Sequence, residues 1–287
     1  MHALPLLLAL LLAALLAKPL LELLRSGGHT APNYRGRRLP VPFGLLAPVA
    51  ALAALVPLMA LERLTHSRVF EPGALAAATY VLGVALLGLI DDTLGGGAPA
   101  DGAGEVARAA PRGLRGHARA LARGELSTGA VKAIGSLGLA LLVTDRAGLS
   151  VGRWLLATAV LVLATHALNL LDLRPGRATK SFAVLAAALT LGARDLTPLW
   201  TLGLFAGPAL VAGAYDLRER AMLGDTGANV LGGLAGLWLI GTLSLAGQLI
   251  ALAALLAIAL FGELWSISAL VRRLPLLRAL DSWGRPS

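Results

Sequence analysis

The chain has 287 residues, of which 57% are hydrophobic and 14% charged, with a formal net charge of +9 and a mean hydropathy of +0.76. Soluble globular domains carry about 25% charged residues, so this composition excludes an ordinary water-soluble domain and points to an integral membrane protein. The absence of cysteine excludes disulfides, thiolate metal sites and cysteine nucleophiles. Five scattered histidines suit a multi-histidine centre poorly, which leaves oxygen ligands for any metal.

A helix needs about 20 apolar residues to cross the hydrocarbon. Nine segments qualify in chain order: 3–24, 41–61, 74–90, 129–144, 152–171, 179–193, 197–215, 226–244 and 247–270. The fourth and sixth are short enough to be tilted, re-entrant or part of a merged element. The pattern predicts an all-α polytopic bundle of about nine transmembrane helices, forming one integral membrane domain over 1–287. Lys18 and Arg25 follow the first apolar run, whereas a cleaved signal carries its positive charge ahead of it. The first segment is therefore expected to be a permanent helix with its N-terminus outside. Nine crossings then place the C-terminus, the linkers 25–40, 91–128, 172–178 and 216–225 and the tail 271–287 in the cytoplasm.

Charge sorting tests that orientation. The cytoplasmic side collects 19 of the 25 Lys and Arg residues, while the outer linkers hold Arg63, Arg68, Arg146, Arg153 and Arg194. This is the positive-inside pattern. It turns the basic surplus from a nucleic-acid signal into an orientation marker, and no nucleic-acid partner is expected. Glycines inside the spans, such as Gly232, Gly233 and Gly236, let helices approach closely.

Acidic residues at the ends of apolar helices are costly unless paired, hydrated or bound to a cation. Three clusters have this character: Asp91 and Asp92 after the third span, Asn169 and Asp172 at the end of the fifth, and Asp225 at the start of the eighth. The expected topology brings all three to the cytoplasmic mouth. Adjacent carboxylates and an oxygen-only donor set suit Mg²⁺, which takes one or two carboxylates, water and substrate phosphates. Asn169 and Asp172, three apart, share a helix face. The plainer alternative makes these residues helix-end solvating groups, with Asp225 capping the eighth span.

The linkers add Arg35, Arg37 and Arg38, then Arg108, Arg112, Arg115, Arg119 and Arg123, then Arg174 and Arg177; Lys132 begins the fourth span. Arginine suits bidentate phosphate contact and lysine a point-charge contact, although most of these residues also serve as topology determinants. Lys132 and Arg174 stand out by position. Glu263 in the last span is either a buried proton carrier or a groove-facing group. Lys18 is expected to snorkel, and His166 reads more readily as structural than as a ligand.

In order and spacing, these motifs resemble the polyprenyl-phosphate N-acetylhexosamine-1-phosphate transferases. The residues that carry the resemblance are Pro32-Asn33-Tyr34-Arg35-Gly36-Arg37-Arg38-Leu39-Pro40, Gly88-Leu89-Ile90-Asp91-Asp92, Gly124-Glu125-Leu126-Ser127-Thr128 running to Lys132, Asn169-Leu170-Leu171-Asp172 and Gly224-Asp225-Thr226-Gly227. The resemblance implies transfer of a sugar-1-phosphate from a UDP-sugar to undecaprenyl phosphate, giving UMP and a lipid-linked diphosphosugar for cell-envelope polymers. It implies Mg²⁺, or Mn²⁺ in its place, and a location in the bacterial cytoplasmic membrane; a homodimer is left open by the sequence. Asp225 would be the principal metal ligand, and Asp91 and Asp92 would serve the metal and activation of the lipid phosphate. Lys132 would contact phosphate, Asn169 and Asp172 would line the nucleotide pocket, and Arg174, Asn33 and Arg35 would be further substrate contacts. The chain departs from the family at His166, where an asparagine is usual, in Asp172-Leu173-Arg174-Pro175-Gly176, and in having no histidine-rich loop before a final helix. Two other readings stay open: a catalytically silent binder of polyprenyl phosphate or envelope partners, and an ion-coupled transporter.

Overall fold

A computed structural model describes residues 1–95, 116, 123–124, 126–145 and 148–285. Among these it contains eleven α-helices: α1 (Leu4–Ser26), α2 (Leu46–Thr65), α3 (Ala74–Leu94), α4 (Thr128–Asp145), α5 (Val151–Leu171), α6 (Arg177–Ala193), α7 (Thr197–Leu217), α8 (Gly224–Thr242), α9 (Leu245–Leu264), α10 (Ile267–Arg273) and α11 (Pro275–Ser282). Seven of them, α1 to α5 with α7 and α9, are long and apolar enough to cross a membrane. The protein is thus an all-α, multi-pass membrane protein. Of the other two long helices, α6 has only 17 residues. The other, α8, is rich in glycine and carries Asp225 and Asn229.

The lower apolarity of α8 has a physical reason. It is enclosed by protein, with Ala228, Val230, Leu231 and Leu234 fully buried, and it packs most heavily against α5 and α3. A helix that meets other helices instead of lipid gains from small residues that allow close approach. The α3–α8 contact shows how close: a Cβ added at Gly88 would lie 2.6 Å from the Thr226 Cα.

Between α1 and α2, strands β1 (Thr30–Pro32) and β2 (Arg38–Pro40) pair antiparallel with Ala31 opposite Leu39. The Asn33 side chain shapes the turn by accepting from the Arg35 and Arg37 amides at 2.9 and 3.0 Å, the local bonding for which asparagine favours turns. The strand exit is tied to the segment before α8. Met222 N donates to Pro40 O at 2.9 Å, Phe43 N to Met222 O at 2.8 Å and Gly44 N to Leu223 O at 2.9 Å.

Three expectations need correction. The last span does not run to 270: α9 stops at Leu264, Trp265 turns extended, and Ser266 caps α10 by accepting from the Ala269 amide at 3.3 Å. The tail is not a plain linker, since α10 and α11 occupy it. Glu263 is exposed, so it is not a buried proton carrier. Lys18 is exposed on α1. Arg108, Arg112, Arg115 and Arg119 lie outside the described residues.

Candidate active site

The end of α3, the first turn of α4 and the first turn of α8 meet at one end of the bundle. Lys132 Nζ donates to Asp91 Oδ2 at 2.7 Å and also to Asp225 Oδ2. The Asp91 and Asp225 carboxylates lie within hydrogen-bond reach of each other, and the Thr128 side chain also bonds Asp91. Lys132 and Asp91 each keep about a fifth of the side chain exposed (19%) and Asp225 rather more, at 35%. Two carboxylates therefore share one ammonium at a half-open mouth. The cation offsets part of their mutual repulsion.

Asp92 does a different job. Its Oδ1 accepts from the Asp225 amide and its Oδ2 from the Thr226 amide, both at 2.8 Å, and Oδ2 also takes the Thr226 hydroxyl at 2.6 Å. The free N–H groups at the start of α8 are thus capped by a residue of another helix, a placement that the helix dipole favours for an anion. The plainer alternative, in which Asp225 caps α8, is not what is seen: Asp225 supplies a backbone donor, and its carboxylate turns to Lys132. Gly224 makes room for this arrangement. Its φ is +69°, and a Cβ there would meet both Asp92 carboxylate oxygens at 2.8 Å.

Asn169, near the end of α5, donates to Asn229 Oδ1 at 3.2 Å, and Asn229 in turn donates to Val84 O at 3.2 Å. This amide chain pins α5, α8 and α3 together one turn below the carboxylates. Asp172 follows at the end of α5. Burial, then the neighbouring carboxylates of Asp216, Asp225 and Asp92, hold it well above the usual carboxylate range, with Arg177 opposing. His166, five residues before the end of α5, is half-buried.

Asn33, Arg35 and Arg174 gather beside this cluster around a residue that the sequence reading passed over. Glu219 is 1% exposed. Its oxygens accept from Asn33 Nδ2 at 3.3 Å and Tyr34 OH at 3.0 Å, and Arg35 and Arg37 stand at 3.5 and 3.6 Å. The Arg174 guanidinium lies 4.2 Å from the Tyr34 ring centroid, in cation–π contact. Asp216 was also passed over. It is buried and accepts from the Gly176 amide at 2.6 Å, fixing the turn that follows Asp172. Both residues were within reach of the rule applied to Asp91 and Asp172, because they too follow an apolar helix on the same side. Asn229 carries a fainter signal, lying one helical turn after Asp225.

The structure thus brings Asp91, Asp92, Lys132 and Asp225 into one contact group, with Asn169 and Asp172 next to it. Asn33, Arg35 and Arg174 form a separate group on Glu219. Among the described residues, no set of three or more His, Asp or Glu side chains is arranged to hold a metal.

Fold and site define a multi-pass helical membrane protein with an acid-and-lysine cluster at one mouth of its bundle. No family model matches the chain, and no curated protein sequence matches it.

Proposed function

We propose that this protein transfers a sugar-1-phosphate from a UDP-sugar to undecaprenyl or another polyprenyl phosphate, at the cytoplasmic face of a bacterial inner membrane. The supporting observation is that Asp91, Lys132 and Asp225, which lie in three of the motifs that resemble the transferase family, are in mutual contact although 134 positions separate the first from the last. Helices α1 to α9 are taken as nine crossings with the N-terminus outside. The excess of Lys and Arg at the mouth end supports that orientation.

Phosphoryl transfer asks a protein mainly for positioning and for neutralisation of oxygen charge. An oxygen of the lipid phosphate would bond to the sugar-bearing phosphorus, and the bridging bond to UMP would break. Asp91 and Asp225, two carboxylates already converging on one cation, fit Mg²⁺ if phosphate and water oxygens complete its shell. When bound, the ion would neutralise charge on the diphosphate oxygens. Asp92, with both oxygens engaged at the start of α8, would position Asp225. Lys132 would turn from its carboxylates to incoming phosphate, and Asn169 and Asp172 would border the nucleotide. Arg174, Asn33 and Arg35 would reach substrate only by leaving the Glu219 group.

That last point favours one second reading, a binder of polyprenyl phosphate without turnover, because Asn33 and Arg35 are already engaged by Glu219 and Arg174 by the Tyr34 ring. One assay separates the two. Purified protein is given undecaprenyl phosphate, Mg²⁺ and a panel of UDP-sugars, and UMP release is followed. The transferase reading expects turnover with at least one donor, falling by about 10²-fold or more in Asp225→Ala. Lipid binding without UMP release from any donor selects the binder.

A further inference from the structure

The segment after α9 is held to the bundle by the buried Ile267 of α10 and by polar contacts from α11, and the apolar side of α11 is left uncovered. Asp281 takes Arg177 Nε at 2.8 Å and Arg285 at 2.8 and 3.1 Å. Arg285 also donates to Pro175 O at 2.8 Å. Lys180 donates to the carbonyls of Leu280, Asp281 and Trp283 at 2.8, 2.7 and 3.1 Å. Helix α11 buries no residue. Leu276, Leu280 and Trp283 are spaced four and three apart, so they fall on one stripe, and they are 72%, 56% and 74% exposed. Arg278 lies on the opposite side of the helix. Together with Arg272 and Arg273 in the last turn of α10, it makes no ion pair among the described residues.

The level of this segment is fixed by its anchors. Arg177 and Lys180 are in the first turn of α6 and Pro175 is in the turn after α5, so α11 lies where the apolar helices end. Exposed apolar residues also lead toward it from α9: Leu260 and Leu264 are exposed and are followed by exposed Trp265. An apolar stripe with tryptophan, flanked by free arginines at the depth where spans end, matches an amphipathic helix lying in the membrane interface.

We propose that α10 and α11 form an in-plane anchor on the same membrane that the bundle crosses. Leu276, Leu280 and Trp283 enter the acyl boundary, and Arg272, Arg273 and Arg278 meet anionic lipid headgroups. The lipid surface is the occupant because the charge is complementary and because the patch continues the lipid-facing side of α9. This assignment is independent of the transfer reaction.

The cysteine-free chain allows single labels on the intact protein. Nitroxides are placed at Leu280→Cys on the stripe and Ser282→Cys on the other side, in nanodiscs of phosphatidylcholine with or without phosphatidylglycerol. The proposal expects the label at 280 to collide several-fold more with oxygen than with a water-soluble nickel chelate, and the label at 282 to show the reverse. Phosphatidylglycerol should deepen 280, and the combined change Arg272→Gln, Arg273→Gln and Arg278→Gln should abolish that dependence. A label at 280 that meets the nickel chelate freely in both lipids overturns the proposal. So does a label shielded from oxygen and nickel alike with spin–spin broadening between copies, which would put a second protein surface on the stripe.

Discussion

Asp92 and Thr226 are joined twice: one carboxylate oxygen of Asp92 accepts both the Thr226 amide at 2.8 Å and its hydroxyl at 2.6 Å. The residue that ends α3 thereby closes the start of α8, and the orientation of Asp225, one position earlier, follows from that closure.

Asp92→Asn keeps one acceptor and puts an amide donor where a second acceptor is needed. A lost cap costs about 1 kcal/mol, up to about 2, so Asp92→Asn and Asp92→Ala should both lower the thermal midpoint in detergent, with alanine the worse. An unchanged midpoint in the alanine variant would show that the α8 amides are satisfied in another way.

Lys132→Ala leaves two adjoining carboxylates without their cation. Breaking a fully buried pair costs about 3–5 kcal/mol; with Lys132 and Asp91 19% exposed and Asp225 35%, roughly 1–3 kcal/mol is expected. The informative measurement is a double-mutant cycle with Asp225→Asn, which removes the repulsion as well. Lys132→Ala combined with Asp225→Asn should be more stable than Lys132→Ala alone, and simple additivity of the two losses would rule out the coupling.

The clasp on α11 should open in acid. Burial alone would push the Asp281 carboxyl up, but hydrogen bonds and charge from Arg177 and Arg285 outweigh it and hold the group down at about 2. The unfolded value for aspartate is about 3.9. Because the native value is the lower, the stabilisation is fully present above about pH 4 and is lost as pH falls toward 2. Nitroxides at Ser282 and Ala193 should give a narrow distance distribution at pH 6 that broadens between pH 4 and 2.5. Asp281→Asn should be broad already at pH 6. A distribution that stays narrow through the acid range would refute the clasp.

Much of this architecture was legible in the sequence, because the nine apolar runs all became helices, eight of them with similar bounds and the ninth ending at Leu264. The two helices that fall short of the span criteria are instructive. The α8 run was found by its glycines and leucines, yet its burial in protein, which explains its polarity, has no local signature. The short helices after Leu264 were missed because the leucines there are too few for a span. Ser266 as a cap and Pro275 in a first turn were nevertheless readable stop and start signals. At the site, the meeting of Asp91, Asp92 and Asp225 at one bundle end followed from counting helices. Which carboxylate caps and which pairs did not, since adjacent aspartates on a helix point about 100° apart and only the packing partner decides. Glu219 follows an apolar helix as Asp172 does, but the four partners that gather on it come from the distant segment 33–37, which only packing brings near.

The enclosure of α8 also bears on how the chain is assembled. An aspartate costs about 2.5–3.5 kcal/mol at the centre of an inserting helix and less toward its ends, and the glycines of α8 give little back. What makes this helix at home is contact with α3 and α5, both of which leave the ribosome before it. The groove that encloses α8 is thus built largely of helices that precede it in the chain, with Asp92 at its rim against the Thr226 amide.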